Sequence, residues 1–246
     1  MSQTGDRFRV ERDGPVARVT LCQGDEGNTL APPDMHAIGA AIRAEGSDHA
    51  VKLVVVTGEG ADFCLGRRIV PGVTPPAHAR AFRERVADAI LGVYENLRMT
   101  PVPVLVAVQG RAKGFGCAFA AQADVTIAEQ GAQFSMPEMD TNLPPTLAIS
   151  AALPKMPAKA VLNMVLTRDP IDADTAFAHG LISAVAPKGG LGGAVDAYIA
   201  KLADRDRDAL VAIKEYMRLA PTMDLAGQAR YGANLISVEM TSQPKD

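Results

Sequence analysis

Apolar and polar positions alternate over Phe8 to Val10 and Val16 to Leu21, on either side of Arg12-Asp13-Gly14-Pro15. That is the pattern of two half-buried strands joined by a tight turn. From Pro32 to Ala44 the period changes, with Met35, Ile38, Ala41 and Ile42 at helical spacing, and this predicted helix feeds the unbroken apolar run Leu53-Val54-Val55-Val56-Thr57. The pattern returns as a long helix from Ala79 to Arg98 before the strand Val104 to Val108, which Gln109-Gly110 closes. It returns again as a short Ala-rich helix starting near Cys117 before the strand Val125 to Ala128. Strands that lack full alternation and are separated by helices predict a sheet covered by helices, an α/β fold.

Beyond Leu143-Pro144-Pro145 the pattern becomes helix upon helix: Ala148 to Leu153, Ala158 to Leu166, Ala173 to Ala178, Leu191 to Ala203, Arg207 to Arg218 and Leu225 to Met240. One short strand, Ile182 to Val185, is expected among them. Pro187 to Gly193, with Pro, Lys and four glycines, predicts a loop that divides a core of residues 1–190 from a C-terminal helical region of residues 191–246.

Composition narrows the function. A chain of 246 residues with 48% hydrophobic and 22% charged positions can bury a sizeable core. Its net charge of -3, with Lys and Arg scattered, makes no case for nucleic acid or an anionic membrane and favours a small-molecule partner. No apolar run is long enough to cross a bilayer and Met1 to Glu11 is polar, so the expectation is a cytoplasmic protein. Cys22, Cys64 and Cys117 lack CxxC spacing and are expected as buried free thiols. His36, His49, His78 and His179 form no ligand-spaced pair, so neither a metal nor a separate cofactor is expected. Lys214 and Lys245 read as solvated helix and tail charges.

Two glycine-bearing turns follow apolar strands: Gly58-Glu59-Gly60-Ala61-Asp62-Phe63-Cys64-Leu65-Gly66-Arg67-Arg68, and Gly110-Arg111-Ala112-Lys113-Gly114-Phe115-Gly116-Cys117-Ala118. Taken singly, each is a strand-to-helix turn. Neither carries a dinucleotide or P-loop spacing. Taken together, backbone N–H groups beside the glycines could converge on one developing negative charge. Between Gln133 and Asp140, Glu138 follows Pro137 among apolar neighbours, a setting that raises a carboxylate pKa and makes it a candidate base; an exposed loop acid is the other reading. In an extended segment Asp140 would share a face with Glu138, although a solvated or capping acid suits it better.

In their order and spacing these motifs resemble the crotonase superfamily, the enoyl-CoA hydratase and isomerase family. The likeness is carried by Asn28-Thr29-Leu30, Phe63-Cys64-Leu65-Gly66-Arg67, Val104 to Gly110 leading into Gly114-Phe115-Gly116, Ala123-Asp124, Phe134 to Glu138, Pro145, Leu166-Thr167 and Gly180-Leu181-Ile182. It implies a spiral of repeated β-β-α units and a C-terminal helical region used in trimer contacts, in a homotrimer or hexamer. It implies an acyl-CoA thioester as substrate, coenzyme A being part of that substrate. The thioester oxygen would lie between the backbone N–H groups of Arg67 and Phe115, with Leu65, Gly66, Arg67, Arg68, Ile69, Gly114 and Phe115 contacting substrate.

The chain departs from the family pattern in informative ways. Arg67 stands where Ala is frequent and Arg68 where Asp is common; both arginines could meet coenzyme A phosphates or form a solvated basic turn. Phe115 stands where the hydratases commonly have Gly. The hydratases use two glutamates, and only Glu138 matches one of them, Ala118 occupying the other position. Hydration must activate water and deliver a proton, whereas one shuttling carboxylate can move a double bond. The expectation is therefore an enolate-forming isomerase with Glu138 as shuttle. The alternatives are a 2-enoyl-CoA hydratase and a non-catalytic acyl-CoA-binding homologue.

Overall fold

The computed structural model describes residues 3, 4, 7–70, 72, 74 and 77–242. In chain order its regular elements begin with β1 (Gln3–Thr4), β2 (Phe8–Asp13), β3 (Val16–Leu21), α1 (Pro32–Ser47), β4 (Leu53–Gly58), α2 (Ala79–Phe82) and α3 (Asp88–Met99). There follow β5 (Val104–Val108), β6 (Arg111–Lys113), α4 (Phe115–Gln122), β7 (Val125–Glu129), β8 (Gln133–Ser135), α5 (Thr146–Ala152) and α6 (Ala158–Thr167). The chain continues with β9 (Ile171–Asp172), α7 (Ala173–Ala178), β10 (Ala184–Ala186), α8 (Leu191–Leu202), α9 (Arg207–Leu219) and α10 (Leu225–Ser242).

The large sheet runs β1-β2-β3-β4-β5-β7-β10, antiparallel among its first three strands and parallel from β3 onward. Its central strands read as continuous apolar runs because helices cover both faces. Val54, Val56, Val104, Val106 and Val108 enter the main core, whereas Leu53, Val55, Leu105 and Ala107 join Val195 of α8 in a second cluster.

The strands β3, β4, β5 and β7 are each followed by a short second segment, and these segments stack beside one another. Leu30 bridges Arg67, Cys64 bridges Ala112 of β6, and β6 pairs with β8, which pairs with β9. A strand, a second strand or its single-bridge remnant, then a helix: this repeat is the spiral of β-β-α units, and it sets the ends of successive second strands side by side.

Several expectations change. The predicted helix from Ala79 to Arg98 contains a π-helical stretch, Arg83–Ala87. The strand expected at Ile182 to Val185 is Ala184–Ala186, because Leu181 and Ile182 are spent as apolar plugs in the main core before Ala184 pairs with Ile127. Glu138 and Asp140 lie on a 3-10 turn, Pro137–Thr141, not on an extended segment; Pro137 supplies its fixed φ at the first position, and Asp140 turns away to pair with Arg168 at 2.9 Å. Cys22 is half-buried just past β3, while Cys64 and Cys117 are buried. Lys214 is no solvated charge: only 7% exposed, it reaches Asp124 at 2.6 Å and donates to the carbonyls of Leu97 (2.9 Å) and Val102 (3.1 Å). Lys245 and the rest of residues 243–246 lie outside the described residues.

Candidate active site

The two glycine turns are tied side by side. Lys113 N donates to Cys64 O at 3.0 Å, Leu65 N to Gly27 O at 2.8 Å and Leu30 N to Gly66 O at 3.1 Å. Gly66 has φ +106, and a Cβ there would stand 3.0 Å from Lys113 O and 3.8 Å from Phe115 N. The first turn is thus pressed against the start of α4, and a side chain at 66 would wedge them apart. A Cβ at Gly116 would meet Cys64 O at 2.1 Å, so α4 also packs directly on the backbone of the first turn.

The N–H groups at this junction are unequally employed. Arg68 N donates to Leu30 O at 2.8 Å and Gly114 N to Ser135 O at 2.8 Å. Phe115 is the first residue of α4, so its N–H meets no carbonyl within the helix. The Leu30 bridge uses the Arg68 N–H and leaves Arg67 N on the opposite side of the strand.

Two side chains missed at the level of sequence hold the first turn in place. Asn28, buried at φ 52, donates to Glu59 O and Asp62 O, both at 2.9 Å. Asp62 accepts a two-toothed pair from Arg111, Nε at 2.9 Å and Nη2 at 2.6 Å, which clamps one glycine turn to the other and holds the Asp62 carboxyl below its usual range. In the sequence, Asn28 showed only as part of the Asn28-Thr29-Leu30 motif and Asp62 only as a lone acid in a Gly-rich loop.

A cavity of about 330 Å³ opens at this junction. Leu65, Gly66, Arg67, Gly114, Phe115 and Glu138 line it together. Three other candidates do not: Arg68 lies beside Asp34 at 3.8 Å, Ile69 is 74% exposed, and Ala118 is fully buried in the main core. The walls not foreseen are Lys113, the segment Leu143 to Ala148, and one stripe of the second-unit helix, Phe82, Val86, Ile90 and Tyr94. These four are spaced by four residues, a spacing that drifts around an ordinary α-helix; the π-helical stretch adds residues per turn and keeps the stripe on the cavity side.

Glu138 is the one carboxylate lining the cavity among the described residues. A Cβ at Gly114 would stand 2.7 Å from its Oε1, and its Oε2 is buried without a hydrogen-bond partner. Burial raises its pKa above the ordinary carboxylate value. The thiols offer no competing nucleophile: burial pushes Cys64 up to about 12 and raises Cys117 further. The arrangement is a mostly apolar pocket whose carboxylate, of raised pKa, lies beside Gly114 at the start of α4, a setting in which a carboxylate can take up a proton.

Fold and site together define a protein of the crotonase fold. The enoyl-CoA hydratase/isomerase family profile matches residues 11–244, and the chain belongs to that family. It is 28% identical over 181 residues to the enoyl-CoA hydratase domain-containing protein 3, mitochondrial, of Mus musculus, covering 72% of this chain and 58% of that protein. The match therefore spans less than two thirds of that relative's length. It is 30% identical over 228 residues to the protein named probable enoyl-CoA hydratase of Rhizobium meliloti (strain 1021), covering 92% of this chain and 86% of the other. A crystal structure of the protein named putative enoyl-CoA hydratase of Thermobifida fusca YX, in complex with acetoacetyl-CoA, superposes with a TM-score of 0.84 at 27% identity, covering 96% of each chain. No helix of the described residues is long and apolar enough to cross a membrane.

Proposed function

We propose that this chain is an acyl-CoA enzyme that holds a thioester enolate between the N–H groups of Arg67 and Phe115 while Glu138 shuttles a proton. The observation that carries this reading is the lone, buried-oxygen carboxylate of Glu138 beside Gly114, with Ala118 out of the cavity. In a 3-enoyl thioester, Glu138 takes the proton from the carbon next to the carbonyl. The electron pair delocalises onto the adjacent thioester oxygen and, through the 3,4 double bond, onto the fourth carbon, where the same carboxyl returns the proton two carbons farther along, giving the 2-enoyl isomer. Atoms and charge balance with one acid-base group.

Water addition is the second reading, favoured by the name of the Rhizobium meliloti relative. A non-catalytic acyl-CoA binder is the third. Arg67 and Lys113 at the cavity suit the coenzyme A phosphates. The subunit contacts of a homotrimer or hexamer belong on the apolar face of α9 and α10, where Ile213, Met217 and Ile236 are 62%, 66% and 60% exposed beside a groove of about 400 Å³.

The test is proton exchange in heavy water. The wild type should exchange the protons next to the thioester carbonyl and convert 3-enoyl-CoA, and Glu138→Gln should lower both by about 10²-fold or more while thioester binding persists. Because the ionised carboxyl is the working form, the rate should fall on acidification, with its midpoint above the ordinary carboxylate value of about 4.3. Unchanged turnover in the variant removes Glu138 from the mechanism. Efficient hydration of crotonyl-CoA puts the hydratase first, and binding without exchange leaves the non-catalytic reading.

A further inference from the structure

Two side chains that line the cavity each carry an oxygen buried without a hydrogen-bond partner, Glu138 Oε2 and the hydroxyl of Tyr94. Tyr94 is 7% exposed, and its ring stacks on Phe115 with centroids 6.4 Å apart and planes 7° apart. Phenylalanine would make that stack equally well, and the other members of the stripe, Phe82, Val86 and Ile90, are purely apolar. Packing therefore gives no reason for the oxygen, while an O–H taken out of water and left unsatisfied is a cost to the free protein. Burial, with the Glu138 carboxylate acting in the same direction, keeps the phenol protonated. It is thus a hydrogen-bond donor, complementary to the acceptor-only carboxylate of Glu138.

The thioester oxygen already has its assigned place at the Arg67 and Phe115 N–H groups, so a donor on the opposing helical wall serves a different ligand atom. Resting on the acyl-CoA reading above, we propose that Tyr94 is a specificity-determining residue whose hydroxyl donates to an oxygen borne by the acyl chain beyond the thioester carbonyl. The pocket then prefers acyl groups carrying such an oxygen, of the oxoacyl class, over wholly hydrocarbon chains of the same length. A ligand oxygen there satisfies the orphaned O–H, which a hydrocarbon chain leaves unpaired and shut away from water.

Calorimetric dissociation constants for acetoacetyl-CoA and 4-oxopentanoyl-CoA, against butyryl-CoA and pentanoyl-CoA, test this with chains matched in carbon number. In the wild type at least one oxo chain should bind about five- to tenfold more tightly than its hydrocarbon counterpart, the worth of one neutral hydrogen bond. Tyr94→Phe should abolish that preference while leaving the hydrocarbon chains within about twofold. A wild type without the preference, whose Tyr94 holds only water, overturns the proposal even if the variant fails to fold. A preference that Tyr94→Phe retains overturns it as well. Equal binding of all four thioesters sinks the Tyr94 role alone, whereas failure of all four to bind sinks the acyl-CoA reading with it.

Discussion

Gly66 and Arg67 separate what a backbone does from what a side chain does. Gly66 sits at φ +106 with Lys113 O 3.0 Å from where a Cβ would be, so Gly66→Val strains the backbone and forces the turn off α4. Arg67→Ala leaves the N–H in place. The expected ranking is a loss of about 10²-fold or more in turnover for Gly66→Val, with weakened thioester binding, and a change under about tenfold for Arg67→Ala. Steady-state kinetics with 3-enoyl-CoA read it, and the reverse order would hand the role to the guanidinium. The motif made Gly66, Gly114 and Glu138 visible because glycines in a turn and a carboxylate after proline are local facts. Tyr94 was invisible because an aromatic residue on an amphipathic helix looks like core; only the absence of a partner for its oxygen distinguishes it.

Among the elements, α9 is moored at its first residue by Arg207, which donates to Val51 O and Gly46 O, and at its middle by the buried ammonium of Lys214. Lys214 spans from α9 to Asp124, which itself caps the start of β5 by accepting from Val104 N at 2.7 Å, and to two carbonyls at the end of α3 and beyond it. Burial lowers its pKa while Asp124 acts against that lowering. Lys214→Ala strands three acceptors at once and should cost about 2–3 kcal/mol in urea unfolding, less than a fully enclosed pair because Asp124 keeps part of its hydration. Lys214→Met, which retains the packed stem, should cost less. A loss below about 0.5 kcal/mol for the alanine variant would mean that water replaces the ammonium there. The helix itself was legible from its period, but the destination of its lysine was not, since residues 124 and 214 meet only through the fold. The π-helical stretch Arg83–Ala87 was likewise hidden, because its residues carry an ordinary helical pattern.

At the scale of the whole molecule, the second sheet and the β-strand order depend on pairings far apart in sequence. Cys64 with Ala112 and β6 with β8 join segments that look like loops when read singly, and β6 and β8 were not anticipated for that reason. The exposed apolar face of α9 and α10 has the composition of an interface and is left uncovered by the described residues. Light scattering behind size exclusion should show a trimer or hexamer, and Ile213→Glu with Met217→Glu should shift it toward monomer by burying like charges in the contact. A monomeric wild type would remove this face from the assembly.

The pattern of apolar and polar residues by itself determined the longer strands, the main helices and the α/β class, because side-chain period and apolar runs are properties of neighbouring residues and survive any tertiary context. The glycine turns and the Pro-flanked glutamate likewise marked residues that the fold brings to one cavity. Tertiary structure alone decided which of those residues share a cavity, that Ala118 lies behind its wall, that Lys214 is buried and that Tyr94 carries an unpaired hydroxyl. Burial and hydrogen-bond satisfaction are relations between segments brought together by folding, and no local pattern encodes a partner about 30 to 120 residues away.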